Sequence, residues 1–204
     1  MRLRSEKGIA VLEAAVWSSV LLPCFIFAAS LGIFVHDQRI VSILPEALLR
    51  ESAAPGLRWV SDGSGGSFNV DNVELEGIVT KMAVSARAEA TANVFHADQI
   101  SSRACYWIYR VRADTGLVGT RELESCQSQG AIALTDVLNG MLTQALKGRI
   151  GVPIEGSNLS AGYVERIVLI GVAIGGQFSH VHTLFKKQQI EFAHVSFPRR
   201  EVTL

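Results

Sequence analysis

Few side chains in this 204-residue chain stand where chemistry would need them. Cys105 and Cys126 lie in a segment, Arg103 to Gln127, that reads as a β-hairpin. With Thr115-Gly116 as a two-residue turn, Asp114 pairs with Leu117, and the same register carried outward sets Cys105 opposite Cys126. Counted from the closing pair, that position is a non-hydrogen-bonded one, where Cα atoms lie roughly 4.5–5.5 Å apart and a disulfide is within reach. The alternative is two separate buried thiols. Cys24 stands alone in an apolar run and reads as a lone apolar thiol. His180 and His182, with His194 further on, have no cysteine or carboxylate at a spacing that would complete a metal site, and they read as solvent-facing. Glu122 and Glu124 share a strand face but lack the matched environment of an acid–base couple. Gly171-x-x-x-Gly175-Gly176 lacks the spacing of a phosphate loop and the Lys-Ser/Thr that follows one, so it reads as close packing or a turn. No nucleophile elbow or reactive-cysteine context occurs. No catalytic residue, metal or cofactor is therefore expected, and the chain does not read as an enzyme.

What remains is a problem of placement. Lys+Arg and Asp+Glu number 19 each, so no bulk charge draws the chain to nucleic acid, and no such partner is expected. Charged residues are 19% of the chain and hydrophobic ones 49%, with a mean hydropathy of +0.28. A disordered chain or a coiled-coil rod would not have that composition. The apolar excess is concentrated from Ala14 to Val35, which holds no charged side chain. At 1.5 Å per residue this run reaches about 30 Å, the thickness of a bilayer's hydrocarbon core. Arg2, Arg4 and Lys7 against Glu6 precede it, while His36, Asp37, Gln38 and Arg39 behind it are roughly neutral. That asymmetry sets residues 1–7 in the cytoplasm, the run in lipid and the remainder outside. Two other readings compete. One is a secretory signal peptide cut near Ala28-Ala29-Ser30, although the run exceeds the usual ~7–15 residues and Glu13 sits at its start. The other is a plain anchor for an unrelated domain.

The segment Lys7-Gly8-Ile9-Ala10-Val11-Leu12-Glu13-Ala14-Ala15 sharpens the choice. A basic leader ends in glycine, an apolar residue follows, and a glutamate stands five positions into the chain that begins at Ile9. This resembles the processing site of type IV prepilins and pseudopilins. With Leu22-Pro23 in the apolar run it most resembles TadE-like pseudopilins of tight-adherence (Flp-type) pilus systems. The likeness covers residues 4–35, and the ending Arg199-Arg200-Glu201 is similar to an Arg-x-Glu ending of that family. The resemblance implies cleavage between Gly8 and Ile9 by a prepilin peptidase. It also implies that Glu13 pairs with the free amine of a neighbouring subunit's first residue, and that the partners are other pilin or pseudopilin subunits and an inner-membrane assembly platform. The competing reading of Glu13 is a hydrated carboxylate at headgroup level. Pro23 falls further from Glu13 than in the family, and the chain is longer than a major Flp pilin, which favours a minor or assembly subunit. The alternative function is a single-pass, membrane-tethered periplasmic binding or enzyme domain with no pilus role.

The outer part is expected to be α+β. The first helix continues through Ile40, Val41, Ile43, Leu44, Leu48 and Leu49, is kinked by Pro45 and is ended by Pro55-Gly56. Asp62 to Ser67 reads as a flexible loop or linker. Leu75, Ile78, Val79, Met82 and Ala86 give a core-facing helix over about 71–93. A third helical stretch lies in Ala131 to Arg149, and Gly156-Ser157-Asn158 marks a loop. Ile167 to Ile174 reads as a central strand, and Glu191 to Val202 as a last strand that Pro198 pushes to an edge. The expected organisation is a leader over 1–8 and an N-terminal helix over 9–54, spanning the membrane at about 14–35. A periplasmic or extracellular domain of helices packed on an antiparallel sheet follows over 55–204.

Overall fold

The computed structural model describes residues 3–53, 57–61, 68–70, 72–95, 97–112, 118–147, 164–178, 188–196 and 200–202. Helix α1 runs Leu3–Ala53 without interruption, with Pro23 and Pro45 both inside it. It therefore begins ahead of Gly8 and takes in Arg4 and Lys7 of the basic leader. Each proline removes the amide that would donate to the carbonyl four residues back, and the helix continues past both, as expected for one element ending near Pro55-Gly56. Around Pro45, Val41, Leu48 and Leu49 are buried in the domain core.

The core sheet has the order β4-β3-β5-β6, with β3 at Ala97–Arg112, β4 at Val118–Gln129, β5 at Val164–Phe178 and β6 at Gln188–Ser196. All three pairings are antiparallel. Helix α2 (Asn72–Asn93) and the distal half of α1 cover one face, and α3 (Thr135–Lys147) covers the other. Alternation along the strands sorts the two cores. Ala104, Tyr106 and Ile108 on β3, with Val168, Ile170, Val172 and Ile174 on β5, meet α1 and α2. Cys105, Trp107 and Tyr109, with Ile167, Leu169 and Ala173, meet the α3 side, where Leu134, Leu138 and Leu142 pack. Strand β5 is buried on both faces from Ile167 to Gly176, as its unbroken apolar run requires.

Two adjacent serines fasten the layers. Ser102 Oγ donates to the Ala83 carbonyl of α2 at 2.5 Å, and Ser101 Oγ, on the opposite face, accepts the Ile132 N–H at 2.9 Å on the approach to α3. Between them a buried hydroxyl serves each layer, and neither is left unsatisfied.

The glycines of β5 do the work of close packing, one of the two readings their spacing allowed. A Cβ at Gly171 would lie 2.9 Å from the Trp107 ring and from Val195, and one at Gly175 would lie 2.6 Å from Leu134. A side chain at either position would have to displace these neighbours.

Three expectations change. The hairpin does not keep one register: pairing is regular from Ser102↔Gln129 to Ile108↔Leu123, then shifts to Tyr109↔Arg121 and again to Val111↔Val118. Each shift leaves an extra residue on β4, so the ladder bulges twice toward the turn, whose residues 113–117 lie outside the described ones. Glu122 is one of the inserted residues, and the strict alternation that set Glu122 and Glu124 on one face does not run through it. The last strand is two strands: β6 ends at Ser196, and β7 (Arg200–Val202) joins a separate three-stranded sheet. Pro198 lacks the donor that a continuous ladder needs. That second sheet was not expected at all. Strand β1 (Leu57–Ser61) pairs antiparallel with β2 (Phe68–Val70) and parallel with β7. The segments Asp62–Ser67 and Gly156–Asn158, with His180 and His182, lie outside the described residues.

Candidate functional site

The residues singled out at the N-terminus all lie on the exposed half of α1. Gly8 is within the helix, and Ile9 and Glu13 are solvent-exposed. Ile9 and Glu13 are four apart and so share one helix face. From Val11 to Ala29 every residue is exposed, including Trp17, Leu22 and Phe25, and the helix is long and apolar enough to cross a membrane by length and composition. Two hydroxyls here turn inward to the backbone. Ser19 Oγ donates to the Val16 carbonyl at 2.7 Å and Ser30 Oγ to the Ile26 carbonyl at 2.8 Å. Such back-bonding removes a polar group from an apolar exterior.

Burial begins one turn before the end of the apolar run. Phe34 packs against the core formed with α2, and Asp37 is the first fully buried side chain among the described ones, at 0% exposure. Asp37 Oδ1 accepts the N–H of Phe95 at 3.0 Å. Phe95 follows the end of α2, so its amide has left the helical ladder and needs another acceptor. The neighbouring His36 ring lies against the Phe95 ring, centroids 5.3 Å apart. This clamp ties the point where α1 enters the domain to the corner between α2 and β3. Sequence reading passed Asp37 over as one of several polar residues flanking the run. A signal was present, because Asp37, Val41, Pro45 and Leu48 fall at helical spacing on one stripe, all buried. A buried carboxylate needs a donor, and nothing in the sequence pointed to Phe95 as its source.

On the opposite side of the sheet, Cys105 and Cys126 are directly paired and joined in a disulfide, with Cα atoms 4.1 Å apart. Glu124 brings a carboxylate beside them, and the three donor groups lie within 4.8 Å of one another. Because the sulfurs are bonded to each other, neither is a thiolate, and the cluster has no ligand set for a metal in this state. The 3.6 Å approach of Glu124 to Cys126 Sγ carries no hydrogen bond, since a disulfide sulfur has no proton to donate. Glu124 pairs instead with Arg121 at 2.6 Å. Burial raises the Tyr109 phenol above its ordinary value, with Arg121 opposing and Glu124 adding. Burial also raises Tyr106, with Glu76 adding and a hydrogen bond to Ser125 opposing. Both phenols stay neutral at physiological pH, and neither is poised as an acid or base. His194 is half-buried on β6, and Cys24 is an exposed free thiol on α1.

The fold defines the chain as an α+β domain built around the distal half of a long, apolar N-terminal helix whose proximal half projects from it. No protein-family model, curated protein or solved structure matches the chain.

Proposed function

We propose that this chain is a minor pilin or pseudopilin of a tight-adherence (Flp, type IV-like) pilus system. It is cleaved after Gly8 by a prepilin peptidase and assembles through its hydrophobic helix. It is a structural subunit of the bacterial inner membrane, crossing it once, with the N-terminus cytoplasmic and the α+β domain periplasmic. The observation that carries this reading is the order of parts on one helix. A basic leader, Gly8, Ile9 and Glu13 precede an apolar stretch that the folded domain leaves uncovered, and the same helix then becomes domain core. An exposed apolar surface of that extent needs lipid or the helices of other subunits to cover it. Cleavage after Gly8 would leave Glu13 close to the new N-terminus of the shortened helix, where a carboxylate can meet the free amine of a neighbouring subunit's Ile9.

Intact mass of the membrane-extracted protein tests the proposal. In a host with the peptidase the chain begins at Ile9, and Gly8→Leu, which adds a branched side chain at the cut, keeps the leader. A wild-type chain that retains Met1 to Gly8 in such a host overturns the reading in favour of a membrane-tethered domain of other function. Glu13→Val is expected to insert at least as well, since a carboxylate costs about 2.5–3.5 kcal/mol in a membrane helix, yet to copurify less with other pilus components. Undiminished copurification removes the assembly role of Glu13.

A further inference from the structure

The corner between α2 and β3 is held at the height along α1 where the apolar run stops. Val35 is the last residue of that run, and the next two, His36 and Asp37, are the ones that grip Phe95. Two residues rise only about 3 Å along a helix, so the Phe95 backbone stands nearly level with the end of the run. Phe34, within the last turn of the run, already touches the domain core, which leaves no spacer between run and domain. Yet the Phe95 side chain is 70% exposed, and Val35 beside the clamp is 55% exposed. The domain spends a buried carboxylate on fixing a residue whose large apolar ring it does not cover.

We propose that Phe95 is a membrane-contact residue: the α2–β3 corner rests on the outer surface of the bilayer that α1 crosses, with the Phe95 ring inserted at the boundary between headgroups and acyl chains. The proposal rests on the membrane-spanning reading of α1 and adds to it a second point of contact. An aromatic ring level with the end of a spanning segment meets the interfacial zone, where burying its apolar area is favourable. Arg39, exposed one turn beyond Val35, is long enough to extend back to headgroup phosphates. Two contacts, helix and corner, set the tilt of the domain on the membrane, which one helix alone leaves free.

Spin labelling of the full-length protein tests this in vesicles of phosphatidylcholine and phosphatidylglycerol. Single cysteines replace Phe95, Val20 in the middle of the run, and Ile43 on α1 beyond it, each in a Cys24→Ala background. All three positions are exposed, and the Cys105–Cys126 disulfide keeps the remaining sulfurs from the label. Phe95→Cys retains the backbone amide that Asp37 binds. Collision with oxygen, which concentrates in lipid, is compared with collision with a water-soluble nickel chelate. The oxygen-to-nickel ratio at position 95 is expected to fall between those at 20 and 43, well above the latter. A ratio at 95 equal to that at 43, with lipid values at 20, overturns the corner contact and leaves the spanning helix standing. Shielding of position 95 from both colliders assigns it to a protein contact and also overturns the proposal. A nickel-accessible label at position 20 removes the spanning helix and the inference together.

Discussion

The two halves of α1 are one helix with two different surfaces. From Ile9 to about Phe34 almost every side chain is exposed and apolar on all faces, whereas from Asp37 onward a single stripe of Asp37, Val41, Pro45, Leu48 and Leu49 is buried. Backbone geometry is continuous across the change, so the difference lies entirely in what each half is offered as a partner. Both halves bond serine hydroxyls to their own backbone, at Ser19 and Ser30 in one and at Ser42 in the other, but the distal half also gives a buried carboxylate to another element. A uniform apolar surface suits surroundings that are the same on every side, and a stripe suits a single neighbour.

Leucine truncation is the strongest way to break this comparison. Leu49→Ala in the distal half is expected to destabilise the domain by about 2–5 kcal/mol, and Leu22→Ala in the proximal half to leave its unfolding midpoint unchanged. Chemical denaturation of the detergent-solubilised protein, followed by near-ultraviolet circular dichroism from Trp107 and Tyr106, reads the difference. Equal losses would show that the proximal half is also part of the domain's cooperative unit. Next in size is the disulfide. Its 21-residue separation gives roughly 3 kcal/mol by chain-entropy reasoning, so reduction or Cys126→Ala should lower the same midpoint while sparing the helicity of the proximal half.

The clamp comes third. Asp37→Ala removes the acceptor of the Phe95 amide and is expected to cost about 1–3 kcal/mol, while Asp37→Asn, which keeps an oxygen there, costs less. Faster hydrogen exchange at the Phe95 amide in the alanine variant would locate the loss at the corner, and unchanged exchange would show that the amide finds another partner. The smallest effect sharpens the contrast through glycine. Gly77 on exposed α2 has open space where a Cβ would stand, so Gly77→Ala should stabilise the domain by about 0.5–1 kcal/mol. Gly32→Ala is equally unhindered but lies in the proximal half, and it should leave domain stability unchanged.

Much of this architecture could be read from the residues alone, because local pattern and local environment agree. The stripe of Leu75, Val79, Met82 and Ala86 follows from helical periodicity, the 14–35 run and the central strand from Ile167 from unbroken apolar stretches of different length, and the facing of Cys105 with Cys126 from hairpin register. The cysteine pairing emerged from an assumed two-residue turn, although the ladder nearest that turn is shifted by two bulges on β4. The outer register of a hairpin is set by which faces are buried, so it tolerates irregularity near the tip.

Tertiary structure alone decided the rest. The parallel pairing of β1 with β7 joins segments far apart in the chain, and neither three-residue β2 nor three-residue β7 carries enough residues to show a period. The fit of Gly171 beneath Trp107, and the grip of Asp37 on Phe95 across 58 positions, depend on contacts between elements. Sequence determines which face of each element seeks burial, because that choice is local. Which partner meets the face depends on where the other elements lie, and no window along the chain contains that information.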